Sequence, residues 1–208
     1  MMSSAGHMKR ISLSVVSHRQ GGMVNDLLGD VARYSPSLDL HLTCNVPEQT
    51  LFHSDGLQHF HRFDNANAQG FGANHNAAFQ HCDSPFFCVC NPDVRLVNDP
   101  FPELIACMED PKVGVVAPRV LAPAGGWEDN ARYFPTPITL AAKLFHLGEG
   151  RYPAVGEAPM AVEWVAGMFM LFRAEAFRDI GGFDESFFLY YEDVDICARL
   201  WKAGWKVM

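Results

Sequence analysis

The sequence predicts an α/β protein built on an open sheet with helices packed against it. Short β-rich runs alternate with helical periodicity from residue 11 onward, the pattern of such a sheet. One run, Pro85–Cys90, is apolar throughout, as a strand covered on both faces requires. The chain has 208 residues, 49% hydrophobic and 19% charged, which suits one globular domain with a sizeable core. Sheets of this class bind ligands beyond the C-terminal ends of their strands.

Ile11–Ser17 is the expected first buried strand. His18-Arg-Gln-Gly-Gly then turns into a helix over Met23–Tyr34, with Val24, Leu27, Leu28 and Val31 at helical spacing. Leu38–Asn45 alternates as a strand, and Phe60–Phe63 is a further extended piece. In the loop from Asn65 to Phe79, Gly70 and Gly72 permit a tight backbone before a helix that runs to about His81. Such a loop can lay backbone N–H groups and asparagines against a ligand, though it equally serves as a plain loop and helix cap. It is neither a Walker loop nor a GxGxxG fingerprint. Pro85–Cys90 runs into Asn91-Pro-Asp93, which is good β-turn chemistry and also sets a carboxylate at a strand end. Asp99–Asp110 reads as a helix, Val113–Val116 as a strand and Ala122–Gly126 as a turn. Thr139–Leu147 can be helical between flanks that suit a mobile lid. Val162–Phe172 reads as one strand-like run, with Gly167 leaving room for close approach. A helix over Arg173–Ile180 ends at Gly181-Gly182, and Trp205–Met208 begins another strand.

The segment from Phe183 to Gly204 organises the rest. Val194, Cys197, Ala198 and Trp201 fall at i, i+3, i+4 and i+7, and Gly204 is a natural stop. Glu192, Asp193 and Asp195 crowd the first turn, where the helix dipole favours negative charge, and such acids are also ordinary helix-start chemistry. Asp195 can pair with Arg199 at i+4. Asp193 is expected at the edge of the apolar stripe, after an aromatic run (Phe187, Phe188, Tyr190, Tyr191) that could wall a cleft. A carboxylate so placed suits a general base.

Composition narrows the function classes. A net charge of −8 with no basic stripe argues against a nucleic-acid binder. The longest apolar runs fall well short of the roughly 20 residues that span a bilayer, and no signal peptide is visible. The six cysteines form no CxxC pair, and Cys88 and Cys90 share a strand face as small core residues, so a reduced, cytoplasmic protein without a zinc site is expected. His59 and His61 would share a strand face, but no third ligand lies near them in sequence. Neither a Gly-x-Ser-x-Gly elbow nor an HExxH motif occurs.

Taken together, the β-strand ending in Ser17-His-Arg, the Gly/Asn loop, Asn91-Pro-Asp93, and Gly-Gly-Phe-Asp-Glu-x-Phe-Phe-x-Tyr-x-Glu-Asp-Val-Asp resemble the family 2 glycosyltransferases. The resemblance covers roughly residues 10–207, and the rhamnosyltransferase-like group is the nearest in character. It implies a GT-A-like open mixed sheet, mostly parallel and flanked by helices. Residues 1–9 are expected to be a disordered start, and 10–208 a single domain that stops short of the family's usual C-terminal end.

The resemblance further implies inverting transfer of a sugar, rhamnose being one candidate, from a dTDP- or UDP-linked donor to a saccharide or lipid-linked acceptor in cell-surface polysaccharide synthesis. Ser17, His18, Arg19 and Asn45 would hold the nucleotide base; Gly70 and Asn74, in the loop, would lie near nucleotide and ribose. Asn91 and Asp93 stand where the family has its metal-binding Asp-x-Asp, so Asp93 would hold Mg2+ or Mn2+. Asp193, beside Glu192, would be the catalytic base, and Trp164 and Gly167 would border the acceptor. A cytoplasmic enzyme results, with peripheral association at the inner membrane face compatible with it. The competing readings are a nucleotide-sugar-binding module that has lost catalysis and, more remotely, a nucleotidyltransferase.

Overall fold

The computed structural model describes residues 11–122, 125–136 and 158–208; the expected disordered start and the helical lid over Thr139–Leu147 lie outside them. The first strand, β1 (Ile11–Ser17), shows why the sheet is covered on both sides. Ile11, Leu13 and Val15 join one apolar cluster, while Ser12 and Ser14 are equally buried on the opposite face. α1 (Gly21–Tyr34) closes the first face with Val24, Leu27, Leu28 and Val31, the four residues its periodicity selects. β2 (Asp39–Cys44) and then β3 (His59–Asp64) add in parallel outside β1. The expected polar–apolar alternation of β2 gives way to burial from Leu40 through Cys44, because α1 covers one side and α2 (Phe71–Phe79) the other.

β4 (Phe86–Cys90) is buried at every residue and lies parallel to β1 on its other side. Beyond it come β5 (Val113–Val116), the antiparallel β8 (Phe169–Arg173) between β4 and β5, and β9 (Lys206–Val207) along the far edge. The sheet order is β3-β2-β1-β4-β8-β5-β9, with β8 alone reversed. α3 (Phe101–Cys107) packs against the α1 face. α4 (Ala174–Asp179) and α5 (Glu192–Lys202) cover the other, around the rings of Phe79, Phe87, Phe172, Phe177 and Phe183. Burying each such side chain contributes about 1.5–3 kcal/mol. Cys88 and Cys90 do share a face and are free thiols, held protonated by burial.

Two expectations are corrected here. Val162–Phe172 is not one strand: β7 (Trp164–Val165) pairs with β6 (Ala131–Arg132) in a separate two-stranded sheet, a turn follows at residues 166–168, and only then does β8 begin. An apolar run gives no periodicity signal for such a break. On α5, the buried residues are Glu192, Ile196, Cys197 and Leu200, while Ala198 and Trp201 face outward. Asp193, three residues before Ile196, is half-buried at the N-terminal end of this stripe.

Gly29 sits exposed inside α1, and an added methyl group there meets nothing within 4 Å. Gly29→Ala should stabilise the domain by about 1 kcal/mol, since glycine costs that much relative to alanine in a helix interior. A denaturant midpoint that rises at unchanged slope would show it; an unmoved midpoint would contradict it.

Candidate active site

Strand order reverses between β1 and β4: the chain adds β2 and β3 on one side of β1 and then returns to build β4 on the other. The C-terminal ends at such a switch point are where open sheets bind ligands. One group of predicted residues meets there. The Asn45 backbone N–H donates to the Ser17 carbonyl at 2.8 Å, and the Asn45 side chain lies 3.5 Å from His18 Nδ1. Asn45 also fastens the loop, its amide donating to the Gln69 carbonyl (3.0 Å) and accepting from the Gln69 N–H (2.7 Å). Asn74 is 1% exposed and binds the Gly70 carbonyl and the Asn65 side chain. These two amides hold the loop in shape. Ser17 is likewise committed, donating to Glu48 at 2.6 Å and accepting the Gln20 N–H ahead of α1. His18 and Arg19 remain exposed, Arg19 with a left-handed φ of 62°.

The second group lies along the same edge. Asn91, just past β4, donates its backbone N–H to the Met168 carbonyl at 2.9 Å. One residue earlier, the Gly167 N–H donates to Asp193 Oδ2 at 3.2 Å, and the Val194 N–H donates to Asp193 Oδ1 at 2.8 Å. The turn at 166–168 thus touches the chain leading to Asp93 and the carboxylate of Asp193 at once. Gly167 lies close to both neighbours: a Cβ there would stand 3.3 Å from the Phe71 ring, a tight contact, and 3.7 Å from Asp193 Cβ, an ordinary one. Asp93 itself is exposed, and no hydrogen bond or ion pair among the described residues engages it. Asn76 ties the loop helix to the segment before α5, its amide accepting from and donating to the Phe183 backbone at 2.9 Å each way. As expected, Asp195 pairs with Arg199 at 2.7 Å, and Arg199 also caps the carbonyls of Ile180 and Gly182.

Burial pushes the Asp193 carboxyl above its ordinary range, opposed by the Gly167 and Val194 N–H groups and by the positive charge of Arg132. Glu192, 5% exposed with Oε2 lacking any hydrogen bond, is raised as well, by burial and then by the charge of Asp193. Burial thus makes this carboxylate more basic while two backbone donors keep it oriented. Trp164 is anchored by Nε1 to the Tyr133 carbonyl, and the Arg132 guanidinium lies over its ring at 5.6 Å. His75 is buried, hydrogen-bonded to Ser14 at 2.8 Å and depressed to about 3 by burial, so it stays a neutral support under the loop helix.

Three contributors escaped the sequence reading. Arg132 lies in a segment without periodicity, Asn76 was one asparagine among several, and Phe71 was absorbed into the loop. The only available signal was the Phe71-Gly72 pair opening a helix, which presages a close approach: a Cβ at Gly72 would overlap Phe183 Cβ at 2.6 Å.

A mostly parallel mixed sheet with one reversed strand and helices on both faces is the GT-A-type architecture that the resemblance implies. Solved structures agree on that fold. The chain superposes with a TM-score of 0.66 at 12% identity on the mannosyltransferase PcManGT from Pyrobaculum calidifontis, in complex with GDP-Man and Mn2+, covering 96% of this chain and 54% of that one. It superposes at 0.70 and 13% on GalNAc-T7 with UDP, GalNAc and Mn2+, covering 97% and 42%. The family model for glycosyl transferase family group 2 matches residues 91–208, and the chain belongs to that family. It is 33% identical over 135 residues to the N-acetylglucosaminyl-diphospho-decaprenol L-rhamnosyltransferase of Mycobacterium tuberculosis, covering 56% of this chain. It is 26% identical to the rhamnosyltransferase WbbL of Escherichia coli over 93% of this chain and 78% of that protein. The match spans 41% of the length of the mycobacterial relative.

Proposed function

We propose that this domain transfers a sugar, with inversion at the anomeric carbon, from a nucleoside-diphosphate sugar to a saccharide or lipid-linked acceptor. The observation that carries the reading is the anchoring of Asp193 by the Gly167 N–H, on the same sheet edge from which Asp93 emerges. Asp193 takes the proton of an acceptor hydroxyl as that oxygen forms its bond to the anomeric carbon. The bond to the diphosphate oxygen breaks on the opposite side, and the nucleoside diphosphate leaves with the electron pair. The residues at the strand ends hold the nucleotide: His18 and Arg19 at the surface, with Ser17, Asn45, Gly70 and Asn74 shaping the loops around it.

The donor set at Asn91 and Asp93 fits a hard divalent cation, one free carboxylate sufficing where substrate phosphates supply further oxygens. When bound, Mg2+ or Mn2+ offsets the negative charge that builds on the leaving diphosphate. On the acceptor side, Phe188, Leu189, Tyr190 and Tyr191 are 53–73% exposed immediately before Asp193, which favours an acceptor with an apolar carrier. Such an exposed apolar run suits action at the cytoplasmic membrane face; among the described residues no helix is long and apolar enough to cross a membrane. The names of the two relatives favour rhamnose, and hence a dTDP-linked donor.

A thermal-shift panel of nucleoside-diphosphate sugars, with and without Mn2+, tests the reading. The expected result is stabilisation by dTDP-rhamnose that needs the cation, followed by sugar transfer to a polyprenyl-diphosphate saccharide. Binding without transfer or donor hydrolysis would make the domain a nucleotide-sugar-binding module; no stabilisation by any donor would end the proposal.

A further inference from the structure

The parallel pairing of β2 with β3 places histidines side by side on the face that α2 covers. His41 is in register with His61, and Asp39 with His59. Asp39 Oδ2 lies 3.1 Å from His41 Nε2, and Asp39 Oδ1 lies 3.2 Å from His61 Nε2. The two imidazole rings meet edge to face with centroids 5.2 Å apart. One ligand atom from each of the three residues falls within 4.8 Å of the others.

His41 supplies the second, independent observation. It is 2% exposed, yet neither ring nitrogen makes a hydrogen bond, and Nε2 has only the Asp39 oxygen at ion-pair distance, 3.1 Å. Around it stand Phe63 and His81, at 5.8 and 6.4 Å between ring centroids. A buried imidazole without a hydrogen bond on either nitrogen is costly, and its Nε2 gains a direct ligand bond if a cation sits between it, Asp39 and His61. Asp39 is held for that task. The Ser12 hydroxyl lies 3.3 Å from its Oδ2 and 3.0 Å from Ser84 Oγ, an outer layer of the kind that orients ligating carboxylates.

We propose that Asp39, His41 and His61 form a zinc site, separate from the transfer centre, that clips the edge strand β3 to β2. Two imidazole nitrogens and one carboxylate oxygen are a borderline donor set that favours Zn2+ over the hard cations suited to Asp93. Ligand atoms around zinc lie about 2.0–2.2 Å from the ion. Closing the present spacing therefore takes a small rotation, which His61, with 55% of its side chain exposed, is free to make. His41 lies three residues, about 10 Å, before the end of β2 at the usual strand rise, so zinc here does not compete with a nucleotide at the strand ends. Three protein ligands leave the fourth position to water.

Titration of the purified full chain with Zn2+, followed by melting temperature, and with Co2+, followed by visible absorption, tests the site. One Co2+ per chain with a tetrahedral spectrum and a saturable rise in melting temperature with Zn2+ are expected. His61→Ala, a surface change, should weaken both by about 100-fold or more, beyond the loss typical of an outer-layer partner, while leaving nucleotide binding unchanged. Equal Zn2+ responses in the two proteins would assign the metal to other groups among the nine histidines and six cysteines and overturn the proposal. Absence of saturable binding below millimolar Zn2+ would also overturn it, leaving His41 and Asp39 as an ion pair only.

Discussion

Asp193→Asn should lower the rate of sugar transfer by about 100- to 10,000-fold, the usual contribution of a positioned general base, with donor affinity unchanged. Asparagine keeps the size of the side chain and can still accept one of the two backbone hydrogen bonds now made to Gly167 and Val194. Two pH profiles separate a base from a merely structural carboxylate. Only the ionised form of Asp193 accepts a proton, and burial raises its pKa above the ordinary 3.8. The acid limb of the wild-type rate should therefore be shifted upward from that of an ordinary aspartate and vanish in the variant. Stability carries the opposite sign. Between the unfolded and the raised folded pKa the native state holds the extra proton, so wild-type stability falls as pH rises through that window. The melting temperature of Asp193→Asn relative to wild type should then climb from acid to neutral pH, and the pH-independent loss of one hydrogen bond cancels in that comparison. Transfer at near wild-type rate in the variant would remove Asp193 as the base.

Asp93→Ala should abolish the coupling between Mn2+ and nucleoside diphosphate while sparing the fold. Each ligand should tighten the other in the wild type, by the roughly 5- to 150-fold typical of coupled sites. Because the effect is reciprocal, calorimetry can read it in either direction. The carboxylate is exposed and makes no hydrogen bond or ion pair among the described residues, so its removal leaves no buried partner stranded. Undiminished coupling in Asp93→Ala would mean that the cation, if it binds, is held elsewhere.

Much of this could be read before any coordinates. The face of α1, the all-buried β4 and the Asp195–Arg199 pair follow from local spacing alone, because helix and strand periodicities are short-range rules. The register of α5 did not follow. Trp201 and Val194 complete an apolar pattern as good as the real one, but Trp201 lies outside with its Nε1 on the carbonyls of Val162 and Glu163, an amphipathic ring at a surface seam. That contact joins segments nearly forty positions apart, and no window along the chain contains it. The break at Gly167 and the Asp39–His41–His61 cluster stayed hidden for the same reason. Each depends on which strand lies beside which, and that is a property of the assembled sheet.

The reversal of β8 has a wider meaning. Had it run with its neighbours, the turn before it would open at the far edge of the sheet, and no glycine there could reach Asp193. As built, one side of the candidate site is made from chain leaving β1, β2 and β4, and the other from chain arriving at β8 and α5. Loops of departure and loops of arrival are separate stretches of the gene. Under the proposed function, a lineage could then exchange one partner of the reaction by rewriting one set while inheriting the other intact.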